Sequence, residues 1–197
     1  MDKKRFEKQL SFILEADKEK NVFRQTHLSG YGRRENDAEH AWHMAMMIYL
    51  LKEYSNKKID LAKAMMMALI HDIVEIDAGD TYAYDTKGLE SQKEREERAA
   101  KRIFGMLPED QCNELRALFD EFEAGISPEA RFVKVMDNLQ PLLLNHSNGG
   151  KDWREHKVTK SKVVDRQQTS KLGSEEIWEY TKELIDDNVK KGNIIDK

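Results

Sequence analysis

Apolar residues recur at helical spacing along almost the whole of this 197-residue chain. In the first predicted helix, Phe6, Leu10 and Leu14 share one face, and the same spacing predicts a tail helix over about residues 174–190. The chain has only three prolines, so few positions must interrupt a helix. No segment shows the alternation that is typical of a half-buried strand, and residues 21–36 read as a loop. The pattern predicts an all-α fold, a helical bundle.

The composition narrows the classes of partner and compartment. A formal net charge of −4 and the absence of a basic cluster argue against binding to polymeric nucleic acid, which needs grouped Lys and Arg. The longest apolar run, residues 41–51, is too short to span a bilayer, so no membrane partner is expected. The single cysteine, Cys112, excludes an intrachain disulfide and a cysteine-based zinc cage. Together with a charged amphipathic N-terminal segment, this favours a cytoplasmic protein.

The dipeptide His71-Asp72 lies inside an apolar stretch, Ala62–Ile76, that is predicted to be helical. An imidazole and a carboxylate are costly to bury unless something compensates them, and a divalent metal ion would do so. His40 and Asp137 lie on other predicted helices, upstream and downstream. Two imidazoles and two carboxylates suit Mn, Fe, Co, Ni, Zn or Mg. The sequence therefore predicts one divalent metal ion, held by these four side chains.

Other readings of the same residues limit this prediction. A single histidine on an apolar helix is more often a hydrogen-bonded core residue than a ligand. By that standard we expect four histidines to be structural or at the surface: His27, His43, His146 and His156. The chain contains neither Glu-x-x-His nor His-Glu-x-x-His, which disfavours a di-iron bundle and a zincin protease. Glu75 falls on the same helical surface as His71 and Asp72, which adds a carboxylate beyond the ligand set.

The local sequences around these residues resemble those of the HD-domain metal-dependent phosphohydrolases. Three segments carry the resemblance: RRENDAEHAWHMAMM at 33–47, HDIVEIDAGDTYAY at 71–84 and KVMDNLQPLLLN at 134–145. The nearest branch is that of the small hydrolases and bacterial 5′-deoxynucleotidases. The resemblance implies a single HD domain over residues 1–197, an HD-type helical bundle. Its metal-binding core would span about residues 5–150, with a C-terminal helical extension over about 151–197.

The resemblance also implies roles for individual residues. His40, His71, Asp72 and Asp137 would bind the metal, and Glu75 would be the acid, base or water-orienting carboxylate. Asp80 and Thr81 would contact the sugar of the substrate. Arg24 would orient the phosphate, with Arg33 and Arg34 as nearby alternatives. The implied reaction is the release of phosphate from a nucleoside 5′-monophosphate by metal-activated water, so the expected partner is a small phosphorylated substrate, a nucleotide.

Two departures from the family pattern leave the substrate open. Nucleotidase members tend to have Arg-Trp where this chain has Arg24-Gln25, and a proline-containing turn where it has residues 81–84. Tyr82 or Tyr84 is expected either to stack on a base or to pack on the domain. The alternatives are an HD hydrolase of another phosphate ester (a cyclic nucleotide, a nucleoside triphosphate or an alarmone) and a non-catalytic, metal-stabilised nucleotide-binding scaffold.

Two further expectations follow. Carboxylates beyond the ligand set, Glu75 and Asp80, favour the hydrolase over the scaffold, because a structural ion does not need them. Apolar stripes on the terminal helices predict a homodimer, the commonest symmetric assembly.

Overall fold

The computed structural model describes the backbone at residues 1–81 and 86–197, and side chains at 1–81 and 91–197. Helices dominate this part of the chain, and they pack around two apolar clusters. The elements in chain order are α1 (Lys3–Ala16), β1 (Phe23–His27), β2 (Arg34–Asn36), α2 (Asp37–Leu51), α3 (Leu61–Ile70), α4 (Glu75–Ala78), α5 (Thr86–Phe104), α6 (Glu109–Ala124), α7 (Pro128–Ser147), α8 (Lys151–Glu155), α9 (Lys160–Gln167) and α10 (Glu175–Lys190). The prediction of an all-α class is confirmed, with one small sheet added.

The larger apolar cluster lies where α2, α3 and α7 meet. Met44 and Ile48 of α2, Met67 of α3, and Phe132 and Met136 of α7 are fully buried there. Burying such side chains contributes about 1.5–3 kcal/mol each. The smaller cluster joins the end of α3 to α5 and α6. The predicted metal ligands lie on α2, on α7 and just after α3, so the larger cluster fixes the elements that carry them.

Side-chain caps set where the ligand-bearing helices begin. The side chain of Asn36 accepts a hydrogen bond from the backbone N–H of Glu39 at 2.9 Å, and the Glu39 carboxylate accepts from the N–H of Asn36 at 3.1 Å. This reciprocal capping box starts α2 at Asp37, one turn before His40. At the start of α7, the Ser127 hydroxyl accepts a hydrogen bond from the backbone N–H of Ala130, and Pro128 follows in the first turn. The sequence predicts both starts, because Asn36 or Asp37 is suited to cap α2 and the Ser127-Pro128 pair is suited to open α7; the structure confirms them.

The prediction that residues 21–36 form a loop without strands was wrong. β1 and β2 pair antiparallel. The turn between them is held by the side chain of Asn148, whose Oδ1 accepts from the N–H of Tyr31 at 2.8 Å and whose Nδ2 donates to the carbonyl of Leu28 at 3.0 Å. The Asp152 carboxylate also accepts from the backbone N–H of His27. These partners are more than a hundred residues away, so a local sequence pattern does not reveal them.

The predicted helix through residues 62–76 is broken. α3 ends at Ile70, and α4 begins at Glu75. Between the two helices, His71 Nδ1 donates a hydrogen bond to the carbonyl of Ala68 at 2.8 Å. The backbone N–H of Glu75 donates to the carbonyl of Asp72 at 2.8 Å, which is the i to i−3 spacing of a turn tighter than an α-helix. His71 and Asp72 therefore project from a helix end rather than from the middle of a helix.

The segment after α7 is more ordered than the sequence indicated. The sequence of residues 147–157, SNGGKDWREHK, predicts a loop, but this segment contains α8, and α9 follows it. Gln167, at the end of α9, is buried, and its Nε2 donates to the carbonyl of Asn138 in α7 at 2.8 Å. This bond fixes the end of α9 against α7, one residue from Asp137. None of the helices in the described ranges has both the length and the apolar character needed to cross a bilayer.

Candidate metal centre

The structure brings the four predicted metal ligands together from three separate elements. His40 Nε2 lies 3.2 Å from Asp137 Oδ1, which joins α2 to α7. His71 Nε2 lies 3.1 Å from Asp72 Oδ2 and 3.9 Å from Asp137 Oδ1. His40 and His71 are buried, whereas Asp72 and Asp137 keep a small exposed fraction. The cluster therefore has two buried imidazole rings and two carboxylates that are partly exposed to solvent.

A buried amide orients the ring of His40. Gln140 Nε2 donates to Glu35 Oε1 at 2.6 Å and lies 3.1 Å from His43 Nδ1. Its Oε1 then faces His40 Nδ1 at 2.9 Å and accepts the proton of that nitrogen. These hydrogen bonds leave the lone pair of His40 Nε2 facing Asp137. Ligand histidines are commonly held by such a hydrogen bond from the opposite ring nitrogen.

His71 shows that the site fits a cation. Its Nδ1 donates to the Ala68 carbonyl, which can only accept, so the neutral ring has its lone pair on Nε2. That nitrogen is buried and has no hydrogen-bond partner in the described part of the chain, although two carboxylates face it. A lone pair opposite carboxylate oxygens is repulsive unless a positive charge lies between them. Two imidazole nitrogens and two carboxylates can bind one divalent metal ion.

The pKa values of His71, Asp72 and Asp137 also indicate that a positive charge belongs between the His71 ring and the two carboxylates. Burial lowers the pKa of His71, but the charges of Asp72 and Asp137 outweigh it and raise the pKa to about 9. Burial raises the pKa of Asp72, but His71 and Arg24 more than offset this and hold it below the usual value. The pKa of Asp137 is lowered, against burial, by the hydrogen bond with His40 and by Arg166. Without a metal ion, the His71 ring therefore carries a proton at neutral pH, and a bound cation would replace that proton between Nε2 and the two carboxylates.

A second group of carboxyls borders the ligands. Oxygen atoms of Asp37, Asp72 and Glu75 lie within 4.8 Å of one another. Arg24 Nη1 bridges two of them, at 2.7 Å from Asp72 Oδ2 and 3.2 Å from Asp37 Oδ1. Burial and the charges of Asp72 and Asp37 raise the pKa of Glu75 to about 12, and burial with Asp72 raises that of Asp37 to about 7. Glu75 therefore holds a proton at neutral pH in this arrangement.

A cleft opens beside these groups, and most of the predicted substrate contacts line it. Arg24, Asp80 and Thr81 are in its wall, but neither Arg33 nor Arg34 is. The guanidinium of Arg33 is paired with Glu39 at the surface. The hydroxyl of Thr81 accepts a hydrogen bond from Arg95 Nη2 at 2.7 Å. The predicted base-stacking tyrosines at 82 and 84 lie outside the described residues.

Three residues of the site were not identified from the sequence. Asp37 is completely buried and bonded to Arg24, and it lies inside the first quoted motif segment. Gln140 lies one turn after Asp137 on α7, a spacing that could have indicated its role. Arg166 lines the cleft from α9, and its Nη2 is 3.8 Å from Asp137 Oδ2. Nothing in the sequence near Arg166 indicates this placement.

The chain is similar to several curated proteins and to solved structures. The 5′-deoxynucleotidase HDDC2 of Homo sapiens is 35% identical over 56% of this chain and 53% of its own length. The Bos taurus protein of the same name is 36% identical over 55% and 52%. A crystal structure described as a predicted metal-dependent phosphohydrolase from Magnetospirillum magnetotacticum MS-1 superposes with a TM-score of 0.92, at 45% identity over 96% of this chain and 95% of that one.

These matches differ in extent. The chain spans about half the length of the curated relatives it matches, whereas the Magnetospirillum structure matches it almost from end to end. The model of the HD domain family matches residues 16–178, a range that includes all four predicted ligands and the cleft residues of α9. This protein belongs to the HD domain family.

Proposed function

We propose that this protein is a metal-dependent phosphohydrolase that releases phosphate from nucleoside 5′-monophosphates, as a 5′-deoxynucleotidase does. The observation that carries the proposal is the convergence of four side chains beside a cleft that is lined by Arg24 and Arg166. The four are His40, His71, Asp72 and Asp137. The names of the curated relatives and of the Magnetospirillum structure support it.

The four side chains would hold one divalent cation through His40 Nε2, His71 Nε2 and the carboxylates of Asp72 and Asp137. Mn, Co, Fe, Ni, Zn and Mg are all compatible with such a nitrogen and oxygen donor set. When bound there, the cation would lower the pKa of an attacking water and offset charge on the phosphoryl oxygens.

The remaining residues position the substrate and move protons. Glu75 lies next to Asp72 but outside the imidazole pair, so it is placed to exchange a proton with the attacking water or the leaving oxygen. Arg24 keeps Asp72 and Asp37 in place while it faces the cleft. Asp80 and Thr81, at the cleft wall, are suited to accept hydrogen bonds from sugar hydroxyls.

Phosphate release over a substrate panel tests this function. We expect purified protein with Mn, Co, Mg or Ni to release inorganic phosphate from at least one ribo- or deoxyribonucleoside 5′-monophosphate. We also expect a chelator to stop the reaction and metal to restore it. The panel includes cyclic nucleotides, nucleoside triphosphates and alarmones, measured by a colorimetric phosphate assay and by chromatography of the nucleosides.

The same panel separates the alternatives. Turnover confined to a cyclic nucleotide, a triphosphate or an alarmone would overturn the monophosphate assignment and keep the hydrolase. Binding of nucleotide by metal-loaded protein without turnover of any substrate would instead support the scaffold. The proposal requires the products of the first hydrolysis to be a nucleoside and free phosphate.

We propose that the protein is a homodimer. Phe6, Leu10, Ile13 and Leu14 of α1 are all exposed, with Leu14 exposed by 72%. Exposed apolar side chains on one helix are typical of a protein interface. Light scattering coupled to size exclusion is expected to give twice the chain mass of 23.0 kDa. The substitution Leu14→Glu should shift the mass towards one chain, and a single-chain mass for the unmodified protein at every concentration would contradict the proposal.

The proposed compartment is the cytoplasm. The chain has one cysteine, Cys112, which is partly buried and free. With a single thiol the chain has no intrachain disulfide to be reduced, so the reducing conditions of the cytoplasm would not destabilise it by breaking one.

A further inference from the structure

Arg24 is already engaged by carboxylates. Its Nη1 contacts both Asp72 and Asp37, and its side chain is only 11% exposed. Burial lowers the pKa of Arg24, but Asp72 and Asp37 raise it well above its ordinary value. This guanidinium therefore neutralises the carboxyl cluster. A dianionic phosphate ester in the cleft needs a positive group with more of its surface open to the cleft.

Arg166 has the required placement. It lies on α9 and lines the same cleft, with 33% of its side chain exposed. Its Nη2 is 3.8 Å from Asp137 Oδ2, whereas Asp137 Oδ1 faces His40 and His71. The guanidinium thus lies beside the metal centre, on the opposite side of Asp137 from the imidazoles.

A buried hydrogen bond fixes the end of α9 next to Arg166. The next residue, Gln167, is buried and bonded to the Asn138 carbonyl. Asn138 and Asn145 add neutral amides to the same wall of the cleft. A guanidinium presents a planar set of donors that matches phosphate oxygens, and such charge-assisted bonds are stronger than neutral ones.

We propose that Arg166 binds the phosphoryl group of the substrate, so that the segment after residue 150 supplies a substrate-binding residue of the active site. The inference rests on the proposed phosphohydrolase function and extends it to a named residue. The ligand chemistry is that of a terminal phosphate with two negative charges, bound in the cleft by Arg166 beside the metal centre.

The test compares Arg166→Gln and Arg166→Lys with Lys162→Gln. Lys162 is an exposed residue of the same helix, so its substitution removes the same charge away from the cleft. In Arg166→Gln we expect KM for a nucleoside monophosphate and Ki for inorganic phosphate to rise about 10- to 100-fold, the range for losing a hydrogen bond to a charged group. Arg166→Lys should recover part of this, and Lys162→Gln should match the unmodified protein.

Two further measurements separate this role from support of Asp137. Metal content by mass spectrometry and the melting temperature are expected to stay unchanged in Arg166→Gln. Calorimetric titration of Mn-loaded protein with inorganic phosphate should show weaker binding. Loss of metal with unchanged phosphate affinity in the loaded fraction would make Arg166 a support for Asp137 and overturn the proposal.

The phosphate titration also keeps this inference distinct from the proposed function. If the unmodified protein hydrolyses no monophosphate, the proposed function fails. Phosphate binding that depends on Arg166 would still support the anion site. Equal phosphate affinity in the unmodified protein and Arg166→Gln, or no phosphate binding by either, would overturn it.

Discussion

The substitution Asp72→Asn is expected to remove the bound metal and, with it, phosphate release. Asp72 Oδ2 lies 3.1 Å from His71 Nε2, so its carboxylate supplies both a donor atom and part of the negative charge that attracts the cation. Mutation of groups that only support a ligand typically costs 10- to 100-fold in metal affinity or activity. For this proposed direct ligand we expect at least about a 100-fold weaker metal affinity, measured by titration and by metal content.

A matched control distinguishes metal loss from a folding defect. Asp77→Asn makes the same chemical change five residues later, at a half-exposed carboxylate that is paired with Arg102 outside the cleft. It should keep full metal content and turnover. Chelation of the unmodified protein tests the same site without substitution and should abolish activity reversibly. Asp72→Asn with undiminished metal content would show that the cation is held by other residues.

The sequence motifs predicted the candidate ligand cluster because each member lies in a segment with a strong local signal. His40 follows a capping box, Asp137 lies on a helix opened by Ser127 and Pro128, and His71-Asp72 are polar residues in an apolar stretch. Helix starts depend on neighbouring residues, so they can be read from the chain. That these three segments lie close together was predicted from the resemblance to the HD-domain phosphohydrolases. Helical periodicity alone does not specify which helices pack together.

What the sequence did not predict depends on distant side chains. The hairpin of β1 and β2 is held by the side chain of Asn148, which lies more than a hundred residues further along the chain. The contribution of Arg166 requires α9 to pack on α7 through Gln167. In each case the deciding bond joins a side chain to a backbone group that no short-range pattern selects. Such bonds form only after the helices have packed, which is why propensity and periodicity do not indicate them.

The substitution Glu75→Gln is expected to keep the metal and lose turnover. The Glu75 carboxyl adjoins Asp37 and Asp72, and burial with these two charges raises its pKa to about 12. A glutamine has the same size and can still donate to a carboxylate, but it cannot exchange a proton with the reacting oxygens. Loss of general acid or base catalysis lowers kcat by about 10²- to 10⁴-fold. Metal content, the melting temperature and KM should change little.

The control for Glu75 is Glu94→Gln. Glu94 is an exposed residue of α5, and it forms a surface ion pair with Arg98. It should leave kcat unchanged. The two variants together separate proton transfer from the general effect of removing one acidic group. Full kcat in Glu75→Gln would exclude a proton-transfer role and leave Asp37, the other buried carboxyl beside Asp72, as the group to test next. Loss of metal in Glu75→Gln would instead place Glu75 among the ligands, because a carboxylate that only moves protons is not needed to hold the ion.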